Sequence, residues 1–261
     1  MKIYSCNIRC FGAKDGDNDW IHRKDLCIDV IRAQEADIIC FQEMRAPQFA
    51  DVAPAFPEFA IYSLVDEPQG RHPQNAIFYR SDRYDLISAG GYWLSETPHV
   101  PGSKSWQSCC VRLANWVRLE ARDTRAEFRV VNTHLDHRSQ EARENQAAMI
   151  VEDAQAYADD YPQLLTGDMN CDAGNQAIEV FRSGGWQDTY GQVHGHEEPG
   201  YTHHGFEGDQ HVSSVGRIDW IFGRGNLMAS GAEVIRDARD GRYPSDHYFI
   251  NAVVEIGCQK K

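Results

Sequence analysis

The residues that could carry chemistry stand where short apolar runs end. In the stretch LLTGDMNCD, two leucines lead into Gly167, and Asp168, Asn170 and Asp172 crowd five positions. Asp, Asn and Gly are common in turns, so a turn alone would account for one such stretch. The arrangement recurs along the chain, however. Acceptor or imidazole side chains at the edges of other apolar runs are Asn7, Gln42, Glu43, His134, Asp136, Asp219, Asp246 and His247.

These side chains predict a cation site if neighbouring strands bring them together. Carboxylates gathered in one place repel each other and lose hydration, at a cost on the order of several kcal/mol per buried charge. A divalent cation relieves that cost, and carboxylate and amide oxygens favour Mg²⁺ or Mn²⁺ over zinc. Magnesium keeps coordination positions for water and phosphate oxygens, which suits phosphoryl transfer. Singly, each residue has a structural interpretation, such as an ion pair between Glu43 and Arg45, so the prediction depends on the whole set.

Strands are the elements that must position this set. The apolar runs are rich in β-branched and aromatic residues and end at turn formers, which is typical of strands. Their near-continuous apolarity indicates that another layer covers at least one face. The predicted strands are 2–8, 37–42, 75–80, 84–94, 111–122, 127–135, 161–167, 217–223 and 247–256.

Two helices are predicted between the strands. Residues 20–33 have apolar side chains at helical spacing, with Ile21 placed on the apolar side, and residues 139–160 show the same spacing with Ser139 as the N-cap. Strands outnumber helices, which favours an α+β or layered α/β sandwich. Because no repeat or linker divides the sequence, we predict a single domain over residues 1–261.

The charge balance limits the classes of partner. The 261 residues are 42% hydrophobic and 25% charged, as in ordinary globular proteins, and 26 basic against 39 acidic side chains leave a net charge of −13. This balance disfavours a grip on long duplex DNA and fits a site that gathers cations. Cys6, Cys27 and Cys40 are expected to be buried thiols in apolar segments. Without an apolar run near the ~20 residues of a membrane span, and without a signal peptide, we expect a cytoplasmic protein with no membrane partner.

Five motifs follow one another along the chain: QE at 42–43, NTHLDH at 132–137, LLTGDMN at 164–170, RIDWIF at 217–222 and SDHY at 245–248. In this order they closely resemble the endonuclease/exonuclease/phosphatase superfamily, whose members include pancreatic-type deoxyribonuclease, inositol polyphosphate 5-phosphatases and the carbon-catabolite-repressor deadenylases. The segments WLSETPHVPGSKSW and THHGF resemble its small bacterial members, nearest the deadenylase-like branch. The resemblance implies a DNase I-like, four-layer α-β-β-α sandwich with two central mixed β-sheets and a site at one rim.

The resemblance also implies which residues hold the metal and the water. Glu43 would be the principal Mg²⁺ ligand, with Asn7 beside it and Asp246 near the metal. Asp168 would orient the attacking water and help to deprotonate it. Asn170 would hold the same water or a phosphate oxygen.

Further residues are implied to act on the phosphate. His247, oriented by Asp219, would act on the phosphate or as a base, and the resemblance leaves open whether this imidazole or the aspartate of the GDMN motif takes the proton. His134 would donate to a non-bridging oxygen, and Arg112 would bind the phosphate. His204 would lie near the substrate mouth, whereas the neighbouring histidines are assigned to a surface loop.

One segment departs from the family pattern. Several members have an acid before the strand that corresponds to AIFY, where it supports the active-site histidine. Here residues 71–75 contain no carboxylate. Either Asn75 or Gln74 takes that role toward the substrate site, or His134 is held differently.

The sequence thus predicts a Mg²⁺-dependent phosphohydrolase, with Mn²⁺ as a substitute, that cleaves a phosphoester by direct attack of water. A phosphodiester in a nucleotide-containing or small soluble substrate is favoured. The alternative is a phosphomonoesterase on inositol or sugar phosphates, and the alternative of another class is a non-catalytic binding domain that retains the fold.

Overall fold

The computed structural model describes residues 1–65 and 74–257. Within these ranges the chain forms twelve strands and five α-helices. In chain order they are β1 (Lys2–Asn7), α1 (Trp20–Ala33), β2 (Ile38–Gln42), α2 (Ala46–Val52), β3 (Phe59–Tyr62), β4 (Ile77–Arg80), β5 (Tyr84–Trp93), β6 (Leu113–Ala121), β7 (Glu127–His134), α3 (Gln140–Gln155), β8 (Gln163–Asp168), α4 (Gln176–Ser183), β9 (Gln187–Asp188), α5 (Thr189–His194), β10 (Asp219–Arg224), β11 (Leu227–Ile235) and β12 (Phe249–Ile256).

The strands form two six-stranded mixed sheets. The first has the order β11-β12-β1-β2-β4-β3 and the second β5-β6-β7-β8-β10-β9. In each sheet one central pair is parallel, β1 with β2 and β7 with β8, and the pairs beside it are antiparallel. The predicted mixed-sheet sandwich is therefore confirmed.

Alternate residues of the central strands enter different cores, which explains the continuous apolar runs. Val130 and Leu164 pack between the two sheets, against residues of the first sheet such as Ile38. Val131 and Leu165, the next residues along, pack outward against α3 and α4. The first sheet likewise packs its outer face on α1 and α2. Because both faces of each sheet are covered, four layers surround three apolar cores.

The predicted helices are confirmed in place, and one side chain was assigned to the wrong face. Helix α1 has the predicted bounds, but Ile21, which was placed on the apolar side, is 69% exposed. The buried face consists of Trp20, Arg23, Cys27, Val30 and Ile31. Helix α3 ends at Gln155, and the hydroxyl of Ser139 accepts a hydrogen bond from the Ala142 N–H at 3.1 Å, which confirms the N-cap.

The expected buried thiols are also found, since Cys6, Cys27 and Cys40 are free and 0% exposed. Among the described residues no helix is long and apolar enough to cross a membrane.

A buried polar network joins the two sheets beneath the site. The amide of Gln42, at the end of β2, donates to Asn132 Oδ1 on β7 at 2.7 Å. Asn132 Nδ2 donates to the carbonyl of Phe41 at 2.8 Å, and the hydroxyl of Thr166 donates to Asn132 Oδ1 at 3.2 Å. Since Asn132 is 0% exposed, these bonds replace water and fix the sheets relative to each other.

Replacing Asn132 by Leu should lower the free energy of unfolding by about 2–4 kcal/mol, because the amide of Gln42 and the carbonyl of Phe41 would lose a buried partner. Urea unfolding followed by circular dichroism measures this. Asn145→Leu, at a side chain on the surface of α3, is the control and should change stability by less than about 0.5 kcal/mol. An Asn132→Leu protein as stable as wild type would contradict the role given to this network.

Candidate functional site

The candidate site lies where the carboxyl ends of parallel strands from both sheets meet. Asn7 ends β1 and pairs in register with Gln42 at the end of β2, directly before Glu43. On the second sheet, His134 ends β7 beside Asp168 at the end of β8. The pocket between them has a volume of about 440 Å³. It is lined by Arg9, Cys10, Glu43, Arg45, Gln74, Cys110, Val111, Arg112, His134, His137, Asp168, Asn170, His203, Ile218, Asp246 and His247.

Asn7 joins the carboxylates of the two sheets. Its amide nitrogen donates to Asp168 Oδ2 at 2.9 Å and to Glu43 Oε1 at 3.2 Å. Its amide oxygen accepts the Arg9 N–H at 3.0 Å, and the Cys10 N–H donates to Glu43 Oε2 at 2.9 Å. The amide of Asn7 therefore holds the two carboxylates in position, while its predicted place beside a metal stays a prediction.

An acid–imidazole–acid row stands in the second sheet. Asp219 opens β10 opposite Asp168 in the antiparallel register. Its Oδ2 accepts a hydrogen bond from His247 Nδ1 at 2.8 Å, and the other ring nitrogen lies 3.9 Å from Asp168 Oδ2. All three side chains are at least 95% buried. This bond fixes the ring so that Nε2 faces Asp168 and the pocket.

Burial and charge set the protonation of this row. Burial and the neighbouring Asp219 carboxylate raise the pKa of Asp168 to about 7. Burial alone would lower the pKa of His247, but Asp219 outweighs it and raises that pKa to about 10. His247 is therefore a cation at neutral pH, next to a carboxylate that can bind or release a proton there.

Glu43 and His134 both have lowered pKa values, which leaves Glu43 charged and His134 neutral. Burial raises the pKa of Glu43, but the Cys10 N–H, the cationic His247 and the Asn7 amide more than offset this and hold it below its ordinary value. The carboxylate is ionised throughout the physiological range. Burial and the Arg112 guanidinium lower the pKa of His134 well below its usual value, so this imidazole is neutral.

Three carboxylate-containing groups of donor atoms at the site could hold a cation, and the buried row of Asp168, Asp219 and His247 is one of them. Donor atoms of Glu43, His134 and Asp168 all lie within 4.8 Å of one another. Asp246, predicted to lie near the same metal, instead groups with His203 and His247, and its carboxylate is 3.5 Å from the Arg9 guanidinium. An ionised carboxylate with a second carboxylate and a neutral imidazole is a donor set that suits a divalent cation.

A sequence profile described as the Endonuclease/Exonuclease/phosphatase family matches residues 4–247. That range contains every side chain of the site. The chain belongs to the endonuclease/exonuclease/phosphatase family. Members of this family hydrolyse phosphoesters, which supports a hydrolase, and its structures have the predicted DNase I-like fold.

Individual relatives cover different shares of the chain. Nocturnin of Drosophila melanogaster is 29% identical over 165 residues, which are 59% of this chain and only 24% of that protein. An endonuclease/exonuclease/phosphatase from Bacteroides vulgatus has a TM-score of 0.90 and 28% identity, with 98% of this chain and 99% of that chain covered. A mannosyl-6-phosphatase from Bacteroides thetaiotaomicron has a TM-score of 0.88 and 28% identity, with 98% of this chain and 100% of that chain covered.

Arg112 lies at the pocket, as the family resemblance implied, with an unused donor. The residue is 9% exposed, and its Nε is buried without a hydrogen-bond partner in the described part of the chain. One terminal nitrogen lies 3.3 Å from His137 Nδ1. A buried guanidinium N–H without a protein partner is suited to receive an anionic oxygen.

The two adjacent histidines of the THHGF segment have exchanged positions relative to the prediction. His204 is 0% exposed, packs on Tyr248 and accepts the Gly208 N–H at Nδ1, so it does not line the pocket. His203 does, with its Nε2 3.8 Å from Asp246 Oδ2. The backbone at this point is extended and bridges to His247, so neighbouring side chains point to opposite sides. Which of the two faces the pocket follows from the bridge to His247, a tertiary contact that no sequence pattern indicates.

Asn75 contacts the protein backbone and not the pocket. Its amide nitrogen donates to the Leu113 carbonyl at 2.9 Å, and Asn75 does not line the pocket. Its Oδ1 and His134 Nδ1 are both buried and have no hydrogen-bond partner among residues 1–65 and 74–257. Residues 71–73 of the departing segment lie outside the described residues, and the support for His134 stays open with them.

Arg9 and His137 also line the pocket, and no sequence pattern singled them out as site residues. The unusual backbone conformation at the site was not predicted either. Arg9, Glu43 and Asn170 have φ of 53°, 62° and 52°, in the left-handed region that non-glycine residues rarely adopt. Asn170 is held there because its N–H donates to Asp168 Oδ1 at 2.8 Å and its amide to the Leu135 carbonyl at 2.9 Å. Such local strain is common at functional sites.

Gly167 is required by close approach of two strands. A Cβ on this residue would lie 2.2 Å from the carbonyl oxygen of Thr133 on β7. Gly167→Ala should therefore push β8 away, displace Asp168, lower stability by about 2–3 kcal/mol and lower activity. Thermal unfolding and turnover measure the two effects. Gly174→Ala is the control, because its Cβ would approach nothing closer than 3.7 Å; equal behaviour of the two variants would contradict the packing argument.

Proposed function

We propose that this protein is a Mg²⁺-dependent phosphoester hydrolase, with Mn²⁺ as a substitute, that uses direct attack of water. The observation that carries the proposal is the buried row Asp219–His247–Asp168, which faces Glu43 across a pocket. The pocket thus brings together the cationic imidazole of His247, the Asp168 carboxylate with its pKa of about 7, and the ionised carboxylate of Glu43. These are the groups that phosphoryl transfer to water requires.

The cation would be held by Glu43, with Asp168 and His134 within reach. When bound, it withdraws charge from phosphate oxygens and so stabilises the transition state. Asn7 keeps Glu43 and Asp168 from drifting apart, since it donates to both.

The chain's own residues handle the proton and the phosphate charge. Asp168 is suited to accept a proton from the attacking water, because a base works best when its pKa lies near the working pH. His247 is suited to donate a hydrogen bond to the phosphate, since Asp219 keeps it protonated. Arg112 lines the pocket, so its guanidinium is placed to bind another phosphate oxygen.

A sugar phosphomonoester is the better supported substrate class. A monoester carries about −1.5 to −2 charges near neutral pH, more than the single charge of a diester. The pocket has three guanidinium groups, from Arg9, Arg45 and Arg112, besides His247. The mannosyl-6-phosphatase that matches the whole chain is a further support. The nucleotide-containing phosphodiester that the sequence favoured becomes the second candidate substrate. It is supported by Nocturnin, a deadenylase that matches part of the chain.

The metal requirement and the substrate class are tested with a panel of phosphoesters that are assayed at defined metal concentrations. Mannose 6-phosphate, other sugar phosphates, inositol phosphates, nucleotides, oligonucleotides and bis-p-nitrophenyl phosphate should be compared with Mg²⁺, with Mn²⁺ and with EDTA. We expect turnover only with metal, and faster turnover of sugar monoesters than of diesters. Preferred turnover of diesters would overturn the substrate class but not the chemistry. No metal-dependent turnover of any phosphoester would favour a binding domain.

The metal position is tested by Glu43→Gln. Removing one charge from the donor set should raise the Mg²⁺ concentration for half-maximal activity by about 10- to 100-fold or more. Glu152→Gln, on an exposed position of α3, is the matched control and should leave this concentration unchanged. An unchanged Mg²⁺ requirement in Glu43→Gln would show that the cation is held elsewhere.

A further inference from the structure

A second cluster of metal-ligating side chains stands at the rim of the pocket, away from Glu43. The sulfurs of Cys109 and Cys110 and a ring nitrogen of His137 all lie within 4.8 Å of one another. Both cysteines are exposed. Cys110 and His137 line the pocket. Solvent and small cations can therefore reach all three groups.

A buried carboxylate fixes the two segments that carry these groups. Asp136 is 0% exposed, and its Oδ2 accepts the Cys109 N–H at 2.7 Å and the Ser108 hydroxyl at 3.0 Å. Its Oδ1 accepts the N–H groups of Arg138 and Ser139, the two residues after His137, at 2.9 and 2.8 Å. The relative position of the thiols and the imidazole is thus set by the fold, which lowers the cost of ordering them around a ligand.

We propose that Cys109, Cys110 and His137 bind one thiophilic divalent cation, such as Zn²⁺. Zinc bonds of about 2.3 Å to sulfur and about 2.0–2.1 Å to imidazole nitrogen place two sulfurs and one nitrogen roughly 3.5–3.8 Å apart in tetrahedral geometry. The three groups already lie within 4.8 Å, so side-chain rotation about a fixed backbone closes the site. Binding releases the two thiol protons to solvent, and the fourth coordination position stays open to water or to a ligand in the pocket.

The same geometry disfavours a disulfide between the neighbouring cysteines. Consecutive Cα atoms across a trans peptide are about 3.8 Å apart, below the roughly 4.4–6.8 Å of ordinary disulfides. The described residues contain no cis peptide bond. A disulfide would also leave His137 without a role. Soft thiolates select zinc over Mg²⁺, so this cluster and the oxygen-rich cluster at Glu43 bind different cations.

The proposed cation would lie next to Arg112, the residue proposed to bind the phosphate. His137 Nδ1 lies 3.3 Å from the Arg112 guanidinium. A cation on His137 therefore stands beside the group that is placed to receive a phosphate oxygen. The proposal itself concerns only the binding of the cation and does not need the hydrolase to be active.

The test titrates metal-free, reduced protein with Zn²⁺ against a chromogenic chelator, with Mg²⁺ in excess to occupy the oxygen site. One Zn²⁺ per chain is expected, and the double variant Cys109→Ser with Cys110→Ser, or His137→Ala, should weaken it at least ~10-fold. Titration with Co²⁺ should give a thiolate-to-metal charge-transfer band that the double variant lacks. Cys10→Ser, at another thiol that lines the pocket, is the control and should keep both signals.

A readout on the unaltered chain covers the case in which a variant fails to fold. Zn²⁺ should slow the reaction of two thiols with a thiol-specific dye, and mass spectrometry of the labelled peptides should place both at positions 109 and 110. Co²⁺ binding without the sulfur band, undiminished affinity in the folded variants, or unprotected thiols would overturn the proposal. Loss of the signals in Cys10→Ser alone would assign the cation to the catalytic pocket instead and would equally overturn it.

Discussion

Replacing Asp168 by Asn should lower kcat by about 10³-fold or more while the protein stays folded. The amide keeps the shape of the carboxylate, but it cannot accept a proton from water and removes a negative charge beside His247. Steady-state turnover of the best substrate of the panel, at saturating Mg²⁺, measures the loss. Asp172→Asn, four residues along and outside the pocket lining, is the matched control and should keep wild-type turnover. Turnover of Asp168→Asn within tenfold of wild type would remove Asp168 from its proposed role.

The same substitution has an opposite effect on stability. The pKa of Asp168 is raised in the folded protein, so its contribution to stability is fully present below the ordinary carboxyl pKa and is lost as pH rises through about 7. At pH 8 without metal, the ionised Asp168 is a buried charge that the Asn variant lacks. Thermal unfolding under these conditions should give a Tm for Asp168→Asn equal to or above that of wild type. A clearly lower Tm would mean that the hydrogen bonds of Asp168 outweigh the burial of its charge.

Asp219→Asn should move the whole pH–activity profile to lower pH and lower its maximum. Activity needs Asp168 ionised and His247 protonated. In the metal-free protein, burial and Asp219 raise the pKa of Asp168 to about 7, and Asp219 outweighs burial and raises the pKa of His247 to about 10. Without the Asp219 charge both pKa values fall, so the acid limb and the alkaline limb move in the same direction. The ring of His247 also loses its charged acceptor, which should cost about 10²- to 10⁴-fold in kcat.

Rates measured from pH 5 to pH 11 in a constant-ionic-strength buffer check this. Asp25→Asn, on the exposed face of α1, is the control and should leave both limbs in place. A lower maximum with unmoved limbs would mean that Asp219 orients His247 without setting its charge.

The central strands could be predicted from the sequence because each of them is buried on both faces, whereas the four-layer sandwich and the roles at the site were implied by the family resemblance. Val130 and Val131 enter different cores, and the resulting continuous apolar run ends at His134. Strand β11 gave no such signal. It lies at the edge of its sheet, contains Ser230 and Gly231, and has a bulge between Ala229 and Gly231, so burial imposes little pattern on it.

The orientation of side chains within the site could not be predicted. Whether His203 or His204 faces the pocket depends on which strand its segment bridges, and that is settled only by tertiary packing. The left-handed backbone at Glu43 likewise follows from long-range contacts, such as the Cys10 N–H on its carboxylate. Turn propensities in the sequence therefore predict neither the orientation of these histidines nor the backbone conformation of Glu43.

The pairing of β1 with β12 has a consequence for the order in which the site can assemble. The Ser245 hydroxyl donates to the Asn7 carbonyl at 2.6 Å, and Lys2 pairs with Val253, so β1 completes its sheet with a strand far along the chain. At roughly 5–20 residues per second, a ribosome needs roughly 10–50 s to travel from one to the other. During that interval the nascent chain has Asn7 but no His247. The row of Asp168, Asp219 and His247 therefore assembles only after residue 247 has been synthesised, and until then the edge of β1 that pairs with β12 stays open.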